Sequence, residues 1–202
     1  MKKSFLVLFT LLMTLAVSVT SAKEVTNREA LKEQNEMRQN ITWTIEGLYK
    51  LGHSHDPKLK LTPAQARKIL PVYQELINKK IVRLEGGPGR RAGAGRPERE
   101  DLSPEQAKKR IQEVTGLTQF GKTKLTEINK ILTPAQMDFI DNLNFNPAQY
   151  GYVDFGKFAS QDDDNSRPDL SRMREMRKKN EANRKKLYKL NQDVLEMLKK
   201  MK

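Results

Sequence analysis

Apolar residues recur along most of this chain at the three- and four-residue spacing of an amphipathic helix, not at the alternation of a half-buried strand. The first stripe is Ala30, Met37, Ile41, Ile45 and Leu48, with Thr26 and Glu29 ahead of it as a capping-box pair and Gly52 as a stop. Trp43 flanks that face and is expected as a core or hairpin contact rather than a platform for a ligand. The second stripe starts at Pro63 and is the most complete, since Ala66, Ile69, Leu70, Tyr73, Leu76, Ile77, Ile81 and Leu84 share one face. Pro71 lies inside it, removes an i to i−4 hydrogen bond, and predicts a bend rather than an end. After Ser103, the positions Ala107, Ile111, Val114, Thr118, Gly121, Leu125, Ile128 and Leu132 predict one long helix antiparallel to the second, softened at Gly116 and Gly121. A short fourth helix from Pro134 to about Asn142 carries Met137 and Ile140.

The last stretch, 169–202, places Met173, Met176, Asn180, Asn183, Leu187, Leu190, Val194, Met197 and Met201 at successive a and d positions of a heptad. Such a seam either docks on its own domain or pairs with a second copy, and the pattern leaves both open. Leu187, Leu190 and Val194 form its apolar middle, and a homodimer is expected if the seam pairs. The fold class read from these stripes is all-α: an amphipathic helical hairpin with an N-terminal helix and a long basic C-terminal helix.

Three helix starts use one phrase. Leu61-Thr62-Pro63-Ala64-Gln65 and Leu132-Thr133-Pro134-Ala135-Gln136 are identical, and Leu102-Ser103-Pro104-Glu105-Gln106 is a looser copy. Each reads as a complete start: Thr or Ser as N-cap, Pro where its missing N–H costs nothing, and Gln closing a capping box. The preceding leucine is half of a hydrophobic staple, whose partner is Met137 in the last copy and only Ala66 or Ala107 in the others.

Composition changes the picture at the ends. Lys2 and Lys3, an apolar run over 5–17 and the small residues Thr20-Ser21-Ala22 have the layout of a secretory signal cut after Ala22. The expected organisation is therefore a signal peptide over 1–22, a helical domain over 23–158, an acidic linker over 159–168 and a basic helix over 169–202, in a protein exported to the periplasm or the extracellular or cell-wall space. The chain has no cysteine, which excludes disulfides and thiolate metal sites. Without Lys2 and Lys3, 36 basic residues face 25 acidic ones, about +11, and about +8 of that lies within 167–202. A charge so placed is suited to an anionic surface.

Candidate chemistry is sparse. His53 and His55, the only histidines, could with Asp56 offer a divalent metal three ligands from an extended loop, although such a turn lacks the second layer of groups that orients ligands. The Gly- and Arg-rich stretch 85–97, with Arg90 and Arg91, reads as a mobile basic loop; a phosphate cradle needs a strand before it, and a helix precedes it here. Tyr150, Tyr152 and Phe155 lie in an aromatic, non-helical stretch that reads either as a strap over the helices or as a partner-binding surface. Asp162-Asp163-Asp164-Asn165 lacks the glycine and distal glutamate of a calcium loop. With no cysteine nucleophile, Gly-x-Ser-x-Gly elbow or dinucleotide fingerprint, neither an enzyme nor a cofactor is expected.

The run Leu-Thr-Glu-Ile-Asn-Lys-Ile-Leu-Thr-Pro-Ala-Gln-Met-Asp-Phe-Ile over 125–140 resembles the second signature of the LTXXQ family of exported helical proteins, and Leu61, Thr62 and Gln65 match the first. The resemblance covers about 61–143. It implies a helical hairpin, frequent homodimers, and chaperone-like or envelope-stress binding of unfolded or partner proteins without ATP. Pro71, the Gly-Arg loop and the long C-terminal extension depart from that pattern. The alternative is a polyanion-binding or anionic-surface protein of the envelope, whose basic tail and Gly-Arg loop hold anionic lipid or wall polymer.

Overall fold

The computed structural model describes residues 27–86, 103–152 and 170–202. Those residues are helical with no strand among them: α1 (Asn27–Gly52), α2 (Pro63–Asn78), α3 (Pro104–Ile131), α4 (Pro134–Asp141), a 3-10 turn (Pro147–Tyr150) and α5 (Leu170–Lys200). The expected leader, the Thr26 cap, Leu102, the Gly-Arg loop, Phe155 and the acidic linker lie outside the described residues.

Each predicted start is built as its sequence dictates. Thr62, Ser103 and Thr133 accept from the backbone of Gln65, Gln106 and Gln136, whose side chains reach back to the cap. With Pro supplying no N–H at the first helical position, two of the three remaining orphan donors are thereby satisfied at each site. Pro71 does not break α2, because it lies on the exposed side, where the carbonyl it strands meets water.

The end of α2 differs from its stripe. The expected helix runs on to Leu84, but the observed one stops at Asn78. Lys80 adopts a left-handed φ of 57°. Its N–H donates to Ile77 O at 2.8 Å and that of Ile81 to Leu76 O at 3.0 Å, the two bonds of a Schellman cap. Ile81, Val82 and Leu84 then leave the helix, although Val82 is still buried. Asn146 likewise caps a single 3-10 turn in a stretch expected to be non-helical.

Contacts set the helix directions. Leu61 N–H donates to Leu51 O at 3.2 Å, so α2 begins beside the end of α1. Gln65 reaches Ile131, and Glu75 pairs with Lys124 at 2.8 Å, so α3 runs antiparallel to α2, as its spacing predicts. Tyr73 Oη donates to Asn191 O at 3.1 Å, and Gly52 abuts Met197, so α5 also opposes α2 and follows α1. α3 and α5 each pack against both α1 and α2, α3 most extensively on α1, whereas α1 and α2 barely touch each other.

All five apolar residues of the first stripe are buried, and four of them, Met37, Ile41, Ile45 and Leu48, make one core with Leu51, Ile69, Leu70, Tyr73, Leu76, Ile128, Ile140, Val194 and Leu198. Each large side chain so buried contributes roughly 1.5–3 kcal/mol of transfer free energy. The C-terminal seam therefore docks on its own domain over its second half. Its buried stripe is wider than the a and d positions, taking in Asn191 and Leu198 as well. Gly121, read from sequence as a weak point of α3, is buried where α1 comes close: a Cβ there would run into Met37. Gly116 faces open space. No described helix is long and apolar enough to cross a membrane.

Candidate functional site

The two identical phrases meet. Gln65 Nε2 donates to Gln136 Oε1 at 2.7 Å and to Ile131 O at 3.0 Å. In return, Gln136 Nε2 donates to Gln65 Oε1 at 3.3 Å, Leu59 O at 3.1 Å and Lys60 O at 3.3 Å. Each glutamine thus closes its own cap and binds the backbone just ahead of the other phrase. Leu61, Leu132 and Gln136 are buried there, with Thr62, Pro63, Thr133 and Pro134 around them. The arrangement is neutral and has its polar atoms paired, so it can hold two helix starts together but offers no proton, nucleophile or open ligand position. Gln106, in the third copy, reaches only its own cap residue among the described residues, with Ser103 N–H at 3.0 Å from its Oε1.

The aromatic stretch forms a strap. Trp43 Nε1 donates to Ile140 O at 3.0 Å and its ring stacks on Phe145, which in turn stacks on Tyr150. Tyr150 Oη donates to Glu46 Oε2 at 3.0 Å, while Tyr152 Oη lies 2.8 Å from Thr42 Oγ1 and donates to Arg38 O at 3.3 Å. Burial raises both phenols above the ordinary tyrosine value, and at Tyr150 the Glu46 carboxylate adds to this. Gly151 between them is left-handed at φ 77°, and a Cβ there would sit 3.2 Å from Asn180 O on α5. These tyrosines hold the strap to α1, with their hydroxyls engaged.

Beside the strap, α1, the 81–83 segment and α5 enclose a cleft of about 320 Å³ that three arginines line: Arg38, Arg83 and Arg184. Burial, then the charge of Arg83, hold the Arg38 guanidinium below its ordinary value, with Tyr152 working in the other direction. No sequence pattern joins these residues; only the fold does. A second, shallower groove of about 460 Å³ lies between α2 and α3, lined by Lys79, Glu113, Gly116, Leu117 and Phe120.

The remaining sequence candidates fall out plainly. His53 Nδ1 is 2.8 Å from Tyr49 O and its ring leans on that tyrosine, and Asp56 Oδ1 accepts from Lys58 N–H at 2.9 Å. His55 is exposed, and no group of three metal-ligating side chains converges among the described residues. Val194 is wholly buried within its own chain, so it is not available to a partner in this fold; Leu187 and Leu190 are half-buried. Arg90, Arg91 and Phe155 lie outside the described residues.

No family model, curated protein or solved structure matches the chain.

Proposed function

We propose that the protein is an exported, non-enzymatic binding module of the cell envelope that holds unfolded or partner proteins without ATP, as a chaperone-like factor or a stress sensor. The observation that supports this reading most directly is the reciprocal Gln65–Gln136 pairing. It makes the repeated phrase one structural unit of a helical hairpin, in keeping with the LTXXQ resemblance. The groove beside Leu117 and Phe120 is where an apolar segment of a client would lodge, since the first half of α3 keeps Ala107, Ile111, Val114 and Leu117 half-exposed. The experiment is suppression of aggregation of a chemically unfolded reference protein, without nucleotide, at low and high salt. Suppression that persists at high salt and drops in Leu117→Asp with Phe120→Asp is the expected result. Unchanged suppression in that variant, or none in the parent, ends the reading.

A second reading rests on charge. Lys178, Lys179, Arg184, Lys185, Lys186 and Lys189 are all exposed along α5, and a polyanion or anionic membrane would bind there with an affinity falling steeply as salt rises. Loss of aggregation suppression at high salt, with retention of anionic vesicles at low salt, favours it over the first.

A further inference from the structure

We propose that the cleft bounded by Arg38, Arg83 and Arg184 is a specific site for a phosphate group, separate from any diffuse attraction of the basic helix. Among the described residues none of the three arginines forms an ion pair, whereas Lys32, Lys50, Lys122, Lys124, Lys185 and Lys200 each pair with a carboxylate. Arg38 Nε is buried and has no hydrogen-bond partner. A buried, unsatisfied donor of a charged group is costly, and an arriving oxyanion is the chemistry that satisfies it. Asn191, 2% exposed, lines the same cleft with its Oδ1 unpaired while its Nδ2 donates to Arg83 O at 2.8 Å. That carbonyl oxygen matches the P–OH of a phosphate monoester or monoanion, which donates where a carboxylate cannot.

The surroundings favour an anion over other ligands. No carboxylate among the described residues lines the cleft, and Glu46, which Tyr150 of the lining bonds at 3.0 Å, is also engaged by Lys50 at 3.1 Å. Arg38 is depressed partly by the charge of Arg83, so the cleft sets two like charges against each other. Binding of an oxyanion turns that repulsion into shared attraction. Arg184 reaches the cleft from α5, and Gly151 lets the strap pass close to it, with a Cβ there 3.4 Å from Arg184 Cγ. Ile41 and Ile45 complete the lining, so an apolar group carrying the phosphate has somewhere to lie.

The full chain is melted in inorganic phosphate against chloride at matched ionic strength, and phosphate binding is measured by calorimetry. A saturable rise in Tm with phosphate is expected, since a ligand that binds only the folded state stabilises it by mass action. Arg83→Gln and Arg184→Gln, both at exposed positions that tolerate substitution, are each expected to weaken phosphate at least about tenfold, the equivalent of one charge-assisted bond. In chloride, Arg83→Gln is expected to melt at or above the parent, because it relieves the repulsion with Arg38; an arginine with a purely structural role would lower the melt in both salts. Lys185→Gln with Lys186→Gln, on the same helix, leaves phosphate binding intact. The source of the phosphate is read from vesicles of zwitterionic lipid with and without phosphatidic acid. Retention on phosphatidic acid that Arg83→Gln abolishes assigns a lipid headgroup, and saturable binding of free phosphate without retention assigns a soluble one. Absence of a saturable phosphate effect, or an equal effect in the Arg83 and Arg184 variants, overturns the proposal.

Discussion

At the end of the bundle where α2 and α4 begin, Leu61, Gln136, Met197 and Leu198 are all buried and the polar atoms of Gln65 and Gln136 are paired. At the opposite end, where α3 and α5 begin, Ile111 and Val114 stay half-exposed, and Glu175, Lys178 and Lys179 face solvent. The same phrase opens helices at both ends. Its local chemistry is equal in all three copies, yet among the described residues only two of the glutamines reach across to another element. A cap therefore tells where a helix starts; what the cap holds depends on which other helix ends nearby.

Substitutions measure the inequality between the ends. The largest effect is expected for Val194→Asp, which places a charge without a partner where the side chain is wholly buried; a loss of about 4 kcal/mol or more would leave the domain unfolded in circular dichroism. Lys178→Asp, on the exposed first half of the same helix, should stay within about 0.5 kcal/mol of the parent. Next is Gln136→Ala, which leaves the Leu59 and Lys60 carbonyls and the Gln65 amide without their partner. About 3 kcal/mol by urea denaturation is expected there, against under about 1 kcal/mol for Gln106→Ala.

The two glycines of α3 give a change of sign. Gly121→Ala pushes into Met37 and should destabilise by about 1–2 kcal/mol, whereas Gly116→Ala meets nothing within 4 Å and should stabilise by roughly 0.5–1 kcal/mol. The smallest expected change is Lys80→Gly, which removes the penalty of a left-handed lysine and should raise stability by up to about 1 kcal/mol in a thermal melt.

Much of the fold was readable before any coordinates, because helix spacing and capping are local properties. The Met37, Ile41, Ile45 and Leu48 stripe, the three capping boxes and the continuity of α3 all depend on residues a few positions apart. The stop after Asn78 was hidden for the opposite reason: a left-handed lysine carries no glycine-like signal, and the apolar pattern runs on through Ile81 and Leu84 because the departing segment still packs on the core. Asn191 and Leu198 escaped a strict heptad template, since docking against two helices buries a broader face than pairing with one. The arginine cleft was not legible at all. Arg38 sits in an ordinary helix, Arg83 in a turn and Arg184 in a basic run, and only the approach of α5 to α1 brings them together.

The Gln65–Gln136 pairing also has a consequence for descent. Each amide supplies what the other lacks, so the loss of either strands polar atoms on its counterpart and the two substitutions cannot be independent in free energy. The two glutamines, 71 positions apart, are expected to show coupling in a double-substitution cycle. Between them, α2 and α3 must keep their lengths for the two helix starts to meet. A substitution at one glutamine is therefore expected to call for a matching change at the other.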